Sequence, residues 1–146
     1  GDPRDHWFEL FSDGDNMIAK QGFTKEVNAF LSRWCGKDFF GNPVFTEAFI
    51  TKTLQKALRD YKRDPHHTRI VLIVPNWTNA PWFHLTRRFH TLASFPSGTP
   101  LFSARPRFPD NRWTPAGVEG TPGRYVAQGC PFPILVLGLG RFQKER

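Results

Sequence analysis

The stretch TRIVLIVP, residues 68–75, constrains this chain more than any other. From Ile70 onward it is continuously apolar and rich in β-branched residues, which suits a pleated surface far better than a helix. An apolar run with no polar alternation predicts a strand covered on both faces, as in a parallel sheet. Its core, residues 70–75, is far too short to cross a bilayer.

Just ahead of that strand the period changes. Ile50, Leu54, Ala57, Leu58 and Tyr61 recur at helical spacing, and Lys52, Lys56, Arg59 and Arg63 recur on the opposite face. Thr46 suits the N-cap, Glu47 suits the positive end of the helix dipole, and Asp64-Pro65 supplies the stop. The spacing therefore predicts a helix between Thr46 and Asp64, running into the strand at 68–75.

Weaker signals fill in the rest. Residues 7–11 (WFELF) read as a short strand ended by the turn Ser12-Asp13-Gly14-Asp15, and residues 37–40 read as a second strand broken by Gly41-Asn42-Pro43. Residues 16–30 are irregular or partly helical. Residues 82–89 can form a short helix with Pro81 in its first turn. Residues 92–95 and 101–103 are strand candidates, and residues 133–139 (PILVLGL) are a further buried strand. Residues 104–128, rich in Pro, Gly and Arg, read as a long irregular loop or a pair of ribbon arms. Strands alternating with helices predict an α/β fold. The expectation is one domain over residues 1–146, with a small, mostly parallel central sheet flanked by helices, of the Rossmann type.

At 146 residues, with 39% apolar residues, the chain can build one core. The formal net charge is +7, and the pI is about 9.9. Such a balance favours an anionic partner, of which nucleic acid is the commonest. A basic solvated surface is the plainer alternative. Two cysteines, Cys35 and Cys130, are too few for a disulfide framework, and no charged-then-apolar leader opens the sequence. The expected setting is intracellular, cytoplasmic or nuclear, with reduced thiols and no membrane association. His66-His67 lies in a polar turn, so no metal site is expected.

No phosphate-cradling P-loop and no G-x-S-x-G elbow occurs. Nothing in the order of residues brings Cys35 to a histidine, and a hydrolase would need clustered acids, for which Asp13, Asp15 and Asp38 are conceivable. The informative corner is Gly41-Asn42-Pro43-Val44-Phe45, a strand end turning into a helix. In an open α/β sheet, ligands sit at the carboxyl ends of strands. There, an asparagine side-chain carbonyl can accept a hydrogen bond from an exocyclic amino group. The carbonyl of Pro43 can take the second amino hydrogen, leaving the nitrogen lone pair free to attack a methyl group. Phe45 can stack on a flipped-out base. Asn-Pro pairs are also ordinary turns.

The ordered set of motifs resembles the phage-type DNA adenine (amino) methyltransferase family, including the degenerate copies found in retroelements. In that family a strand of the kind FDLDPCA precedes Asn, then Trp-x-Gly, then NPPY or NPPF. A helix, a strand ending in VP, a Trp-Phe pair and a final Pro-Phe-Pro strand follow. Here FELFSDGDN spans residues 8–16, Trp34-Cys35-Gly36 precedes GNPVF at 41–45, IVLIVPNWTNAPWFH spans 70–84, and PFPILVLGL spans 131–139. Val44 replaces the second proline, Phe45 replaces the tyrosine, and Leu10-Phe11-Ser12-Asp13 stands where the family has LDPC.

The resemblance implies transfer of a methyl group from S-adenosylmethionine to the adenine amino nitrogen in DNA. Asn42, Pro43 and Phe45 would be the catalytic corner, and Phe11, Ser12, Asp13 and Asp15 would hold the cofactor. Trp77 and Trp82 are the candidates to contact a base or the cofactor, at least one of them doing so, with simple packing the alternative for either. Lys52, Lys56 and Arg59 on the helix, and Arg105, Arg107, Arg112 and Arg124 in the long loop, would contact phosphates. Trp113 and Tyr125 could stack on bases. The departures at Val44 and in the first strand favour the alternative, an inactive module of the same kind that binds nucleic acid or a protein partner, for example within a retroelement polyprotein.

Overall fold

A computed structural model of the chain describes residues 7–11, 21–22, 26–99 and 131–142. The order of elements is β1 (Trp7–Glu9), β2 (Gln21–Gly22), α1 (Glu26–Leu31), β3 (Asp38–Gly41) and α2 (Glu47–Tyr61). A 3-10 turn (Pro65–His67), β4 (Arg69–Pro75), a second 3-10 segment (Phe83–Arg88), β5 (His90–Phe95) and β6 (Ile134–Leu139) follow. The candidate strand at 101–103 and the loop at 104–128 lie outside the described residues.

α2 forms where the capping chemistry predicts. The Thr46 hydroxyl accepts a hydrogen bond from the Phe49 amide at 3.3 Å, and Glu47 occupies the first turn. Ile50, Leu54, Ala57 and Leu58 are buried along one side of the helix. Thr53 donates its hydroxyl back to the Phe49 carbonyl at 2.8 Å, which satisfies a polar group that is fully buried.

The strands form one sheet in the order β2-β1-β3-β4-β6-β5. β1 runs parallel to β2 and β3, and β3 runs parallel to β4. β6 runs antiparallel to both β4 and β5. The register aligns Ile70 with Leu139, Leu72 with Leu137 and Val74 with Leu135. These side chains share one face and join Ile50, Leu54, Ala57 and Leu58 of α2 in a single core cluster.

This architecture corrects the expected fold class. The sheet is mixed, not mostly parallel: the two antiparallel ladders carry six and five residue pairs, against four, three and two on the parallel ones. Helices do not flank it as in a Rossmann-type fold either. Among the described residues only α2, with 15 residues, exceeds two turns; α1 has six, and the segment expected as a helix at 82–89 is a 3-10 stretch of six. The unbroken apolar run of β4 misled because its second face is only half-covered. Ile70, Leu72 and Val74 are buried, while Arg69, Val71 and Ile73 are intermediate. The direction of β6 is set by which ladder it completes, and its own composition does not encode that.

Two polar locks tie the ends of α2 and β4 to the sheet. Asp60, 2% exposed, takes the Lys56 ammonium at 2.8 Å and the Trp34 backbone amide at 3.0 Å. Thr68 accepts from the Gly36 amide at 2.8 Å and donates to the Asp64 carbonyl at 2.6 Å. Both bonds hold the segment that feeds β3, the strand that carries the Asn-Pro corner.

Candidate functional site

The carboxyl ends of β1, β3 and β4 meet the amino end of β6 on one rim of the sheet, because β6 runs the other way. The Leu10 amide donates to the Phe40 carbonyl at 2.8 Å, continuing the β1–β3 pairing past the strand end. The Asn76 amide donates to the Pro133 carbonyl at 2.8 Å, which ties the exit of β4 to the entry of β6.

β3 leads onto this rim through Gly41, where a side chain would fit only tightly against its neighbours. A Cβ there would lie 3.0 Å from Leu72, 3.1 Å from Leu10 and 3.3 Å from Phe11. Asn42 follows half-buried, Pro43 is buried, and Val44 is 58% exposed. The Thr46 amide donates to the Val44 carbonyl at 2.8 Å, so the turn closes without a second proline. The Asn42 side-chain amide has no hydrogen-bond partner among the described residues. It is therefore free to accept from, or donate to, a ligand.

Beside the corner stands a wall of three rings. Phe45 lies 5.4 Å from Phe132 and 6.2 Å from Trp77, and Trp77 lies 5.6 Å from Phe132. The interplanar angles are 75°, 65° and 65°, the edge-to-face geometry that aromatic pairs favour. Trp77 keeps 37% of its surface exposed. An unpaired amide next to a partly exposed aromatic wall can take a flat heterocycle that bears a polar edge.

The other expected site residues part company here. Phe11 is half-buried in a second aromatic cluster, with ring centroids 5.0 Å from Phe49, 5.6 Å from Phe30 and 5.9 Å from Trp34. Its ring is occupied by packing and is not offered to a cofactor. Ser12, Asp13 and Asp15 lie outside the described residues, as do Arg105, Arg107, Arg112, Trp113, Arg124 and Tyr125.

Trp82 is 1% exposed and belongs to the core, so the expectation that it contacts a base is corrected. Lys56 is also corrected: it is 7% exposed, paired with Asp60, and sits 5.3 Å from the Trp34 ring centroid. Lys52 lies 4.4 Å over the Phe30 ring, and Arg59 projects into solvent with its side chain 61% exposed.

The charged groups with displaced pKa values lie away from the rim. Burial would raise the Asp60 carboxyl, but its hydrogen bonds from Lys56 and the Trp34 amide, with the charges of Lys56 and Arg59, hold it below its ordinary value. At the opposite end of the sheet, Arg69 is held above its usual value by its hydrogen bonds to Asp38, against the effect of burial. Its guanidinium also lies 5.0 Å from the Trp7 ring centroid. These are ties within the fold, not reactive groups.

Phe132 was missed at the level of sequence, where 131–133 reads only as the lead-in to a strand. An aromatic held between two prolines beside a strand end is the signal that could have found it. Among the described residues no group of three or more His, Cys, Asp or Glu side chains could hold a metal ion, and no helix is long and apolar enough to cross a membrane. No protein-family model matches the sequence, and no curated protein matches it either.

Proposed function

We propose that the Asn42–Pro43 corner holds the exocyclic amino group of an adenine in DNA, and that the chain is an S-adenosylmethionine-dependent adenine amino-methyltransferase-like domain. The observation that carries this reading is the unpartnered Asn42 amide on the strand-end rim, next to the Phe45–Trp77–Phe132 wall. The Asn42 carbonyl accepts one amino hydrogen and the Pro43 carbonyl the other. The nitrogen lone pair then stays out of the base's π-system, and the wall covers the base with apolar surface. The net charge of +7 suits a polyanionic substrate.

S-adenosylmethionine would supply the methyl group. Of the residues expected to hold it, Phe11 is the one among the described residues, and its ring packs against Phe30, Trp34 and Phe49.

A second reading is a module that binds nucleic acid without catalysis. It is favoured by Val44, which stands 58% exposed in place of the rigid second proline. The two readings separate in solution. A ligand at about 100 times its Kd stabilises the native state by about 2.7 kcal/mol. For a chain of this size that raises Tm by about 5–10 °C. The enzyme reading expects this shift with S-adenosylmethionine and transfer of labelled methyl to adenine in duplex DNA. It also expects Asn42→Ala to abolish transfer with Tm nearly unchanged. Undiminished transfer in Asn42→Ala refutes the role of Asn42. No shift with cofactor, together with salt-dependent DNA binding, establishes the binding module instead.

A further inference from the structure

A second surface, away from the rim, carries its own chemistry. The side of α2 that faces the 3-10 segment at Phe83–Arg88 forms an open groove of about 340 Å³ lined by Gln55, Leu58, Arg59, Lys62, Leu85 and Arg88. Three of the six lining residues are cations and none is acidic. Lys62 and Arg88 are exposed and have no ion-pair partner among the described residues. Arg59 approaches Asp60 only to 3.7 Å, and that carboxylate is already taken by Lys56 at 2.8 Å. The nearest negative charge is thus turned inward and neutralised, so the groove keeps its positive potential.

We infer that this groove binds the sugar-phosphate backbone of a nucleic acid strand. Gln55 and Arg59 on α2 and Lys62 at its C-cap follow one another at about one-turn intervals and cover about 10 Å of helix axis at 1.5 Å per residue. That length matches about three nucleotides of one strand at 3.4 Å each. A line of donors along a helix, faced by Arg88, suits a run of phosphates better than a single small anion. Two of the three cations are arginines, whose planar forks take phosphate oxygens in pairs. The leucines give the groove an apolar floor on which a sugar can rest. This inference takes its polyanion from the reading above, but it stands on separate residues, about 20 Å along α2 from the Asn-Pro corner at 1.5 Å per residue.

The test uses the full chain without cofactor and a fluorescent single-stranded oligodeoxynucleotide, with anisotropy read between 50 and 200 mM salt, roughly the range over which phosphate contacts show. The triple variant Arg59→Ala/Lys62→Ala/Arg88→Ala is expected to lower the slope of log K against log salt by about 2, at about 0.7 per lost contact. The triple variant Arg33→Ala/Lys37→Ala/Arg141→Ala removes the same net charge outside the groove and is expected to leave the slope unchanged. Arg59→Lys keeps the charge but loses the fork, so it is expected to keep the salt slope and weaken the affinity, and a slope lowered as in Arg59→Ala would count against the phosphate contact. Equal slopes in the two triple variants overturn the inference, since binding then follows net charge alone. Displacement of the oligonucleotide by polyglutamate at equal charge concentration also overturns it, in favour of an acidic protein partner. Loss of transfer in Asn42→Ala with an intact salt slope separates the corner from the groove, so either can fail alone.

Discussion

Replacing Asp60 by asparagine is expected to strip out much of the stability of this chain, although Asp60 lies far from any proposed chemistry. The carboxylate is 2% exposed and Lys56 is 7% exposed, so the charges offset each other in a mostly dry setting. Asparagine is nearly isosteric and keeps an oxygen for the Trp34 amide, but it leaves the Lys56 ammonium buried without its counter-ion. Breaking such a pair from one side costs about 3–5 kcal/mol. Domains of this size have about 5–15 kcal/mol in total. The expected fall in Tm is about 10 °C, taking about 2–4 °C per kcal/mol at this length. Urea denaturation followed by tryptophan fluorescence reads the loss as a lower midpoint at unchanged m-value. The double variant Lys56→Met/Asp60→Asn removes both charges while keeping the bond to Trp34, and should recover all but about 1–2 kcal/mol. The acid limb gives an independent check. The folded pKa of Asp60 lies below its unfolded value of 3.8, so the stabilisation is complete above that value and is lost as pH falls through the folded pKa. Asp60→Asn should therefore flatten the stability profile below about pH 4. A single-variant cost under about 1 kcal/mol would refute the reasoning, because Lys56 would then have swung its charge into water.

Trp77→Ala should change stability by less than about 1 kcal/mol yet weaken binding of an adenine-containing oligonucleotide, whereas Trp82→Ala should cost about 3–5 kcal/mol. Paired urea melts and anisotropy titrations tell the two apart, and equal costs would sink the division into rim and core. Phe132→Ala should weaken the same binding as Trp77→Ala, read by the same titration, because the two rings form one wall. Gly140→Ala should destabilise by at least about 2 kcal/mol by urea midpoint, since the left-handed backbone penalty adds to a Cβ that would sit 2.5 Å from the Thr68 carbonyl at φ 109°.

How far the sequence speaks is clearest at α2 and β4. Thr46, Glu47 and the 3.6-residue spacing of Ile50, Leu54, Ala57 and Leu58 act locally, so the helix from Glu47 to Tyr61 is legible without any partner. The strand Arg69–Pro75 is equally legible as a strand. Its neighbours are not, because pairing direction depends on which chain segment arrives alongside. β6 shows this: its apolar run fits either orientation, and only the ladder with β4 decides. The basic face of α2 was half-legible. Periodicity places Lys52, Lys56, Arg59 and Arg63 together, but only the fold shows that Lys56 turns under to meet Asp60 while Arg59 faces Arg88 across a groove.

Trp77 and Trp82 carry the same lesson into the candidate site. They stand five residues apart with identical side chains, and local signals do not rank them. What separates them is the rim. Trp77 follows directly on Asn76, whose amide is tied to Pro133, and it is therefore held against Phe132 and Phe45 with 37% of its surface open. Trp82 follows the turn in which the Ala80 amide bonds to the Trp77 carbonyl, and the chain bends it into the core. The candidate site thus depends on a contact distant in sequence, the hydrogen bond from the Asn76 amide to the carbonyl of Pro133, 57 residues further on. It follows that loosening the β4–β6 closure, for instance by Ile134→Ala, should disperse the Trp77–Phe132 pair and weaken oligonucleotide binding in an anisotropy titration on the folded variant, even though Asn42, Pro43 and Phe45 are untouched, and unchanged binding would refute this dependence.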